Sequence, residues 1–273
     1  MQLIKMRDRM NFFTNAWDSD LAWSFRQAPL VMVAALMTTV IVLAAVLAPL
    51  IAPHDPFNPA TLNLMDGFTP PMTPNAMSGQ VYLLGTDNQG RDILSTILYG
   101  ARISLFVGFS AVLFAMVLGI FVGLVSAWRG GWIDSTLMRV ADIQLSFPSI
   151  LIALLIFGVA RSLIPVAYRE QMAIWVLIVA IGLSDWVQFA RVVRGAALVE
   201  KSKEYVQAAQ AIGVRPSRIV LTHILPNVMG PVLVIATIGL ALAIIAEATL
   251  SFLGVGVPPT QPSLGTLIRI GQG

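Results

Sequence analysis

Long apolar runs separated by short polar segments cover most of the chain. Residues 30–52 contain no charged side chain, and residues 103–128 form a second run of this kind. A helix of about 20 apolar residues crosses the hydrocarbon core of a bilayer. The two runs therefore predict transmembrane helices. Three further spans are predicted at 148–160, 172–190 and 228–246.

The edges of two of these spans need separate treatment. The run at 148–160 is short for a bilayer, so we expect it to include residues 145–147 or to continue to Val166. The run at 30–52 is too long for the apolar part of a signal peptide, and the residues before it are too many and too mixed. We interpret it as a retained helix, and the fold class as all-α, a polytopic membrane protein with five spans.

Composition supports this interpretation, and the distribution of charge predicts the orientation of the chain in the membrane. Hydrophobic residues make up 57% of the chain and charged residues 11%, against roughly 25% charged residues in soluble domains. Twelve of the 17 Lys and Arg residues lie in 1–29, 129–147 and 191–227. The positive-inside rule places these segments in the cytoplasm, so 1–29 is a cytoplasmic tail and 53–102 an external loop. An odd number of spans leaves Gly273 outside, and we expect a sixth helix beyond it.

The residue types that carry most enzyme chemistry are scarce. The chain has no Cys, and its only histidines are His54 and His223. Neither HExxH nor GxSxG occurs. Lysine occurs only as Lys5, Lys201 and Lys203, none of them in a GxxxxGK[ST] phosphate-binding loop. We expect no catalytic residue, no metal site, no bound cofactor and no nucleic-acid partner.

Two carboxylates fall within or beside the apolar runs. Asp185 lies near the inner end of its predicted span, and Glu247 lies where the fifth span meets the outer face. Charged residues inside a membrane are functional candidates. We expect snorkelling or a local helix cap for each, with a gate as the alternative role.

Small residues recur every fourth position in the second span. They are Ala111, Ala115, Gly119 and Gly123. Such a stripe lets another helix approach closely. Packing within the chain is the favoured interpretation, and a subunit interface is the alternative.

The polar segment 201–227 reads "KSKEYVQAAQAIGVRPSRIVLTHILPN" and predicts a first short helix. Ser202 is its expected N-cap, and Glu204 lies in the first turn, where the helix dipole favours a carboxylate. Spacings of three and four residues then predict one shallow apolar face, formed by Tyr205, Ala208, Ala209 and Ile212.

A second short helix follows in the same segment. Gly213 is suited to a left-handed cap that ends the first helix. Pro216 fits the first turn of the next helix, and Pro226 is expected to end it before the last span. Basic residues border the pair. A partner's groove could hold such helices, but a loop lying on lipid headgroups would have the same composition.

The segment "QAAQAIGVRPSRIVLTHILPN" resembles the EAA motif of the permeases of ABC importers. The matching positions are Gln207, Ala208, Ala209, Gly213, Leu225 and Pro226. Gln207 replaces the usual Glu, and His223 replaces the usual Ile, as in the peptide and nickel subfamily. Two further segments resemble that subfamily, "LLGTDNQGRDILSTILYGARISL" and "AEATLSFLGVGVPPTQPSLGTLI". The long loop after the first span resembles the loop at this position in the second permease subunit of such systems.

The resemblance implies a type I ABC-importer transmembrane fold, with core 103–273 and coupling segment 201–227, in a bacterial inner membrane. It also implies a homologous second permease, two cytoplasmic ABC ATPase subunits that bind ATP and Mg, and a periplasmic or extracellular solute-binding protein. Short peptides are the expected cargo, with nickel, glutathione and opine-like solutes as alternatives. A stand-alone secondary transporter or channel, or a membrane-embedded enzyme, would be a different class of function.

Overall fold

The computed structural model describes residues 20–56, 62, 64–75, 78–258, 260–261 and 263–272. The chain divides into two compact units, Met1–Ile51 and Ala52–Gly273. Residues 1–19 of the predicted cytoplasmic tail lie outside the described residues.

The described residues of the first unit form helices. They are α1 (Asp20–Arg26), α2 (Pro29–Val46) and α3 (Ala48–Ile51). The predicted span 30–52 corresponds to α2, which has Pro29 in its first turn and ends earlier than the apolar run. Apolar side chains are exposed all around α2, among them Leu30, Leu36 and Val40. A helix that is apolar on every side suits a lipid environment.

The second unit begins with segment 52–92, whose described residues include the 3₁₀ turn Leu64–Asp66, and continues into α4 (Ile93–Arg129). The last ten residues of the predicted external loop 53–102 therefore belong to the first turns of α4. Asp92 caps α4 by accepting a hydrogen bond from the Ser95 backbone N–H at 2.9 Å. The helix therefore starts at this cap and not at the first residue of the apolar run.

Two helices joined at a sharp bend follow. They are α5 (Gly131–Leu145) and α6 (Ser149–Leu163), inclined to each other by 96°. The helix α6, which corresponds to the third predicted span, therefore begins after residues 145–147 and ends before Val166. Pro148 directly precedes α6, where its ring favours a helix start and disfavours helix before it.

The remaining helices carry the coupling segment between two long spans. They are α7 (Arg169–Lys201), α8 (Glu204–Ala211), α9 (Pro216–Ile219), α10 (Leu225–Phe252) and α11 (Leu264–Gln272). A π-helical turn, Val220–Ile224, joins α9 to α10. The prediction that Pro226 ends a helix is wrong, because Pro226 lies in the first turn of α10. The wider π turn changes the hydrogen-bonding register there, and a first turn tolerates the missing N–H of proline.

Within the described residues, four helices are long and apolar enough to cross a membrane. They are Pro29–Val46, Ile93–Arg129, Val166–Lys201 and Pro216–Phe252. The bent pair of α5 and α6 makes a fifth candidate if it is one span. The five predicted spans correspond to these elements.

The small-residue stripe of α4 packs against α7 within the chain. A Cβ atom added at Gly119 would lie 2.4 Å from Phe189 Cβ and 2.7 Å from the Trp186 carbonyl oxygen. One added at Gly123 would lie 2.6 Å from the Ala190 carbonyl oxygen. Ala111 and Ala115 are buried on the same stripe. Only small residues allow the two backbones this approach.

Asp66 organises the segment that precedes α4. Its carboxylate accepts a hydrogen bond from the Tyr82 hydroxyl at 2.8 Å. Its backbone carbonyl accepts hydrogen bonds from the hydroxyls of Thr69, at 2.7 Å, and Thr86. All four residues are buried. These side-chain hydrogen bonds therefore stabilise the turn that contains Asp66.

The Tyr82–Asp66 hydrogen bond predicts a loss of stability in strong alkali. Burial and the neighbouring Asp66 raise the pKa of Tyr82 to about 12, from an ordinary value of 10.0. Because the folded-state pKa is raised, the stabilisation by the protonated Tyr82 hydroxyl is complete below pH 10. It is lost as the pH rises from about 10 to 12. Tyr82→Phe should lower the free energy of unfolding by about 1–3 kcal/mol near neutral pH and weaken this pH dependence. Thermal unfolding in detergent measures both effects. Tyr168→Phe, at an exposed site, is the control, and equal behaviour of the two variants would contradict the assignment.

Candidate functional site

Gly213 ends α8 in the left-handed conformation that the sequence predicts. Its φ angle is +79°. The Gly213 N–H donates to the Gln210 carbonyl and the Val214 N–H donates to the Ala209 carbonyl, each at 3.0 Å. This pair of bonds is the Schellman arrangement, which satisfies the last carbonyls of a helix. Pro216 then opens α9, also as predicted.

The N-terminus of α8 differs from the prediction. Ser202 is the C-cap residue of α7, and its hydroxyl donates to the Val199 carbonyl at 2.8 Å. Lys203 is the N-cap of α8 and makes no side-chain capping bond. Two helices meet here with almost no linker, so the serine bonds back to α7 and the expectation that it caps α8 is wrong.

The inward face of α8 is formed by Val206 and Ala209, which are 0% and 8% exposed. They join the cluster that contains Ile219 and Ile224. The predicted single face of Tyr205, Ala208, Ala209 and Ile212 is therefore wrong, because Ala209 points inward and the other three are exposed. Ile212 follows the last helical residue and is 80% exposed.

A hydrogen-bond network around the Tyr205 hydroxyl joins α8 to both neighbouring long helices. The hydroxyl donates to Glu200, at the end of α7, and accepts from the Asn227 side-chain amide of α10 at 3.0 Å. Glu200 also accepts from Lys203 Nζ at 2.6 Å. The hydrogen bond to Glu200 raises the pKa of Tyr205, so the hydroxyl keeps its proton. We call Glu200, Tyr205 and Asn227 the Tyr205 network.

Lys201 connects the same region to α4. Its Nζ donates to the carbonyls of Ala127 at 3.1 Å and Trp128 at 2.9 Å, and lies 5.3 Å from the centre of the Trp128 ring. A lysine that binds the last carbonyls of a helix also interacts favourably with the helix dipole. The ends of α4, α7 and α10 are therefore all linked to α8 or to the residues just before it.

The other residues predicted for this site lie around the network. Gln207 Nε2 donates to the Ser202 carbonyl at 3.0 Å, and the His223 ring is edge-on to the Tyr205 ring with centres 6.0 Å apart. Glu204 and Pro216 are exposed, as is Pro226, whereas Leu225 is half-buried. The candidate residues chosen from the sequence do not include Glu200, which lies outside the EAA motif, or Val206, whose burial depends on how α8 packs. Among the described residues, no group of three or more His, Asp or Glu side chains is placed to hold a metal ion.

Glu247 is fully buried, so the expectation of snorkelling or a cap is wrong. The Ser104 hydroxyl donates to its Oε2 at 2.6 Å and the Ser251 hydroxyl to its Oε1 at 2.7 Å. Ser104 also accepts from the Leu264 N–H at 3.3 Å. Because α10 continues to Phe252, Glu247 lies inside the helix and links α4, α10 and the start of α11.

Asp185 lies in the middle of α7, and Arg191 and Arg194 follow it within nine residues. The helix α7 extends to Lys201, sixteen residues beyond Asp185. The carboxyl group is half-buried and lines a small cleft between α4, α7 and α10, together with Gln188. It belongs to a different site from the Tyr205 network.

Comparison with known proteins adds the family to this geometry. Residues 90–273 match the family described as binding-protein-dependent transport system inner membrane component. Residues 16–71 match the N-terminal transmembrane domain of oligopeptide transport permease C. The two matches do not overlap, and residues 72–89 lie between them. The first match includes α8 and the whole Tyr205 network.

Individual relatives are similar over most of the chain. The oligopeptide transport system permease protein OppC of Bacillus subtilis is 36% identical over 252 residues, which are 92% of this chain and 76% of that protein. A putative peptide transport system permease protein of Brucella suis is 40% identical over 85% of this chain and 72% of that protein. The dipeptide transport system permease protein DppC of Haemophilus influenzae is 35% identical over 91% of this chain and 80% of that protein. The chain therefore belongs to the family of inner-membrane components of binding-protein-dependent transport systems, and it is a permease subunit of the ABC importer type.

Proposed function

We propose that this permease moves short peptides across the inner membrane, driven by ATP hydrolysis on two separate cytoplasmic ATPase subunits. The ATPases bind ATP and Mg, a homologous permease completes the pathway, and a solute-binding protein delivers the peptide. The names of the relatives support the cargo. The observation that carries the coupling role is the Tyr205 network, which joins one exposed short helix to the ends of α7 and α10.

In this proposal α8 and α9 face the cytoplasm and lie in a groove of an ATPase. Large apolar side chains exposed on or next to these two helices include Tyr205, Ile212 and Leu221. When the ATPases close, they displace α8. The buried Val206 and the Tyr205 network keep α8 fixed to the long helices, so that displacement moves α7 and α10 and changes access to the pathway.

Cysteine crosslinking tests the contact, because the chain contains no Cys of its own. Ala208 is exposed and Ala209 is buried on adjacent positions of the same helix. We expect Ala208→Cys to form a crosslink with a cysteine in the ATPase groove, and Ala209→Cys, as the matched control, to form little or none. Crosslinking is read on a denaturing gel of the assembled importer. Equal yields from both positions, or none from Ala208→Cys, would contradict the proposed contact.

Reconstitution tests the division of labour. Proteoliposomes with both permeases and both ATPases should take up labelled dipeptide only with ATP inside and the liganded binding protein outside. Uptake by this chain alone, without nucleotide, would exclude the proposal.

A further inference from the structure

Three arginines that are distant in the sequence meet at one cavity of the second unit. They are Arg161 near the end of α6, Arg169 at the start of α7 and Arg269 in α11. Only five Lys and Arg residues lie in the segments predicted to be external, and these are three of them. The cavity has a volume of about 170 Å³, whereas a single water molecule requires about 10–15 Å³. It can therefore hold a group of several atoms.

The cavity lies at the end of the bundle opposite to α8. Helix α7 begins beside the cavity and runs for 33 residues to Lys201, which lies just before α8. Helix α10 begins after the coupling segment, and two residues that follow its other end, Gly254 and Gly256, line the cavity. If the coupling segment faces the cytoplasm, as the proposed function requires, the cavity faces outside. The family consists of components of binding-protein-dependent systems, so this is the side on which a binding protein would dock.

The three guanidinium groups lack carboxylate partners. Among the residues that the structure describes, no carboxylate oxygen lies within 4.0 Å of their nitrogens. This holds even for Glu170, an acidic residue of the cavity wall. Two of the groups lie against the backbone of that wall. Arg169 Nε donates to the Ile164 carbonyl at 3.1 Å, and a Cβ atom added at Gly254 would lie 2.7 Å from Arg269 Nη1. The described wall therefore carries three positive charges and one negative charge.

Other parts of the wall are apolar. Phe157, Ala173 and Val257 line the cavity and are buried. Such a wall accepts the methylene groups of a short chain, and a guanidinium binds a carboxylate through two parallel N–H···O bonds. An Asp or Glu side chain has both parts. The cavity is therefore suited to one acidic side chain from a protein surface.

We propose that Arg161, Arg169 and Arg269 anchor the solute-binding protein by binding an acidic side chain of its surface. This inference rests on the proposed function, which requires such a protein on this face of the permease. Charges of one sign at a docking face steer the partner and fix its register. A peptide carboxylate and a lipid phosphate are also anionic, so the test must separate these three sources.

Direct binding measures the strength of the anchor. Labelled binding protein, loaded with a dipeptide, is titrated onto the assembled importer in phosphatidylcholine nanodiscs. We expect Arg161→Gln and Arg269→Gln each to weaken the affinity about tenfold, and Arg269→Lys to weaken it less because the charge remains. Arg102→Gln is the matched control, since Arg102 is exposed at the same end of the bundle but does not line the cavity. It should change the affinity less than about twofold.

A double-mutant cycle identifies the source of the carboxylate. Each exposed Asp and Glu of the binding protein is replaced by Asn or Gln, and at least one replacement should cause no further loss of affinity in the presence of Arg269→Gln. If no acidic residue of the binding protein is coupled to Arg269 in this way, or if Arg161→Gln and Arg269→Gln behave like Arg102→Gln, the anchor is wrong.

Uptake of a labelled dipeptide is measured in proteoliposomes in parallel. If the wild-type importer binds the binding protein but takes up no dipeptide, the proposed cargo is wrong, and the affinities still decide the anchor. Absence of any binding to the wild-type importer would exclude both.

Discussion

Replacing Gly213 with proline is expected to abolish ATP-driven peptide uptake while the chain still inserts into the membrane. Gly213 has a φ angle of +79°, and the proline ring fixes φ near −65°. The substitution also removes the N–H that donates to the Gln210 carbonyl. The turn between α8 and α9 must then adopt another conformation, which displaces Ile212 and the end of α8 from the position that the ATPase would contact.

Gly213→Ala is the matched control for this experiment. Among the described residues, no atom beyond the adjacent backbone lies within 4 Å of a Cβ atom added at Gly213, so the expected cost is that of a left-handed alanine, about 1 kcal/mol. We expect this variant to retain most of its uptake. Uptake of labelled dipeptide and ATP hydrolysis are measured on the same proteoliposomes. Normal uptake by Gly213→Pro would show that the geometry of this turn does not couple the two activities.

Local rules account for much of the coupling segment. Gly213 and Pro216 are placed correctly from sequence because each position depends on the φ angle of one residue. The apolar runs likewise identify the long helices, since bilayer thickness sets a minimum length. These features can be predicted without knowing which distant residues pack against them.

Helix ends could not be predicted in the same way. An apolar run marks the part of a helix that lipid can surround, whereas a cap such as Asp92 or a change of register such as the π turn decides where the helix begins. The helices α7 and α10 continue past the predicted spans to Lys201 and Phe252, sixteen residues beyond Asp185 and five beyond Glu247. Glu247 is buried between two serines and Asp185 is half-buried, and the apolar runs alone reveal neither environment.

Long-range contacts explain the remaining differences. Glu200 becomes important because Tyr205 and Lys203 both bind it, and Asn227 joins the network across 22 residues of sequence. Which of Val206 and Ala208 points inward depends on where α7 and α10 lie, since both residues suit a shallow apolar face. The hydrophobic pattern of an eight-residue helix does not contain this information.

A large effect on stability is expected at Gly119. A single added methyl group there would lie 2.4 Å from Phe189 Cβ, 2.7 Å from the Trp186 carbonyl oxygen and 2.9 Å from the Ala190 nitrogen. Two of these are backbone atoms of α7, so the contact is relieved only by moving α4 away from α7. We expect Gly119→Ala to lower the free energy of unfolding by about 3 kcal/mol and to reduce the amount of folded protein in the membrane.

Gly195→Ala makes the same chemical change where α7 has space. In the part of the chain that the structure describes, no atom outside the backbone of α7 lies within 4 Å of a Cβ atom added at Gly195. Alanine is favoured over glycine inside a helix by about 0.5–1 kcal/mol. The two variants should therefore shift the thermal unfolding temperature of the purified importer in opposite directions. Because helix propensity favours alanine at both positions, a loss of stability confined to Gly119→Ala can come only from the close approach of α4 and α7. Equal stabilities would mean that these two helices are farther apart than the structure places them.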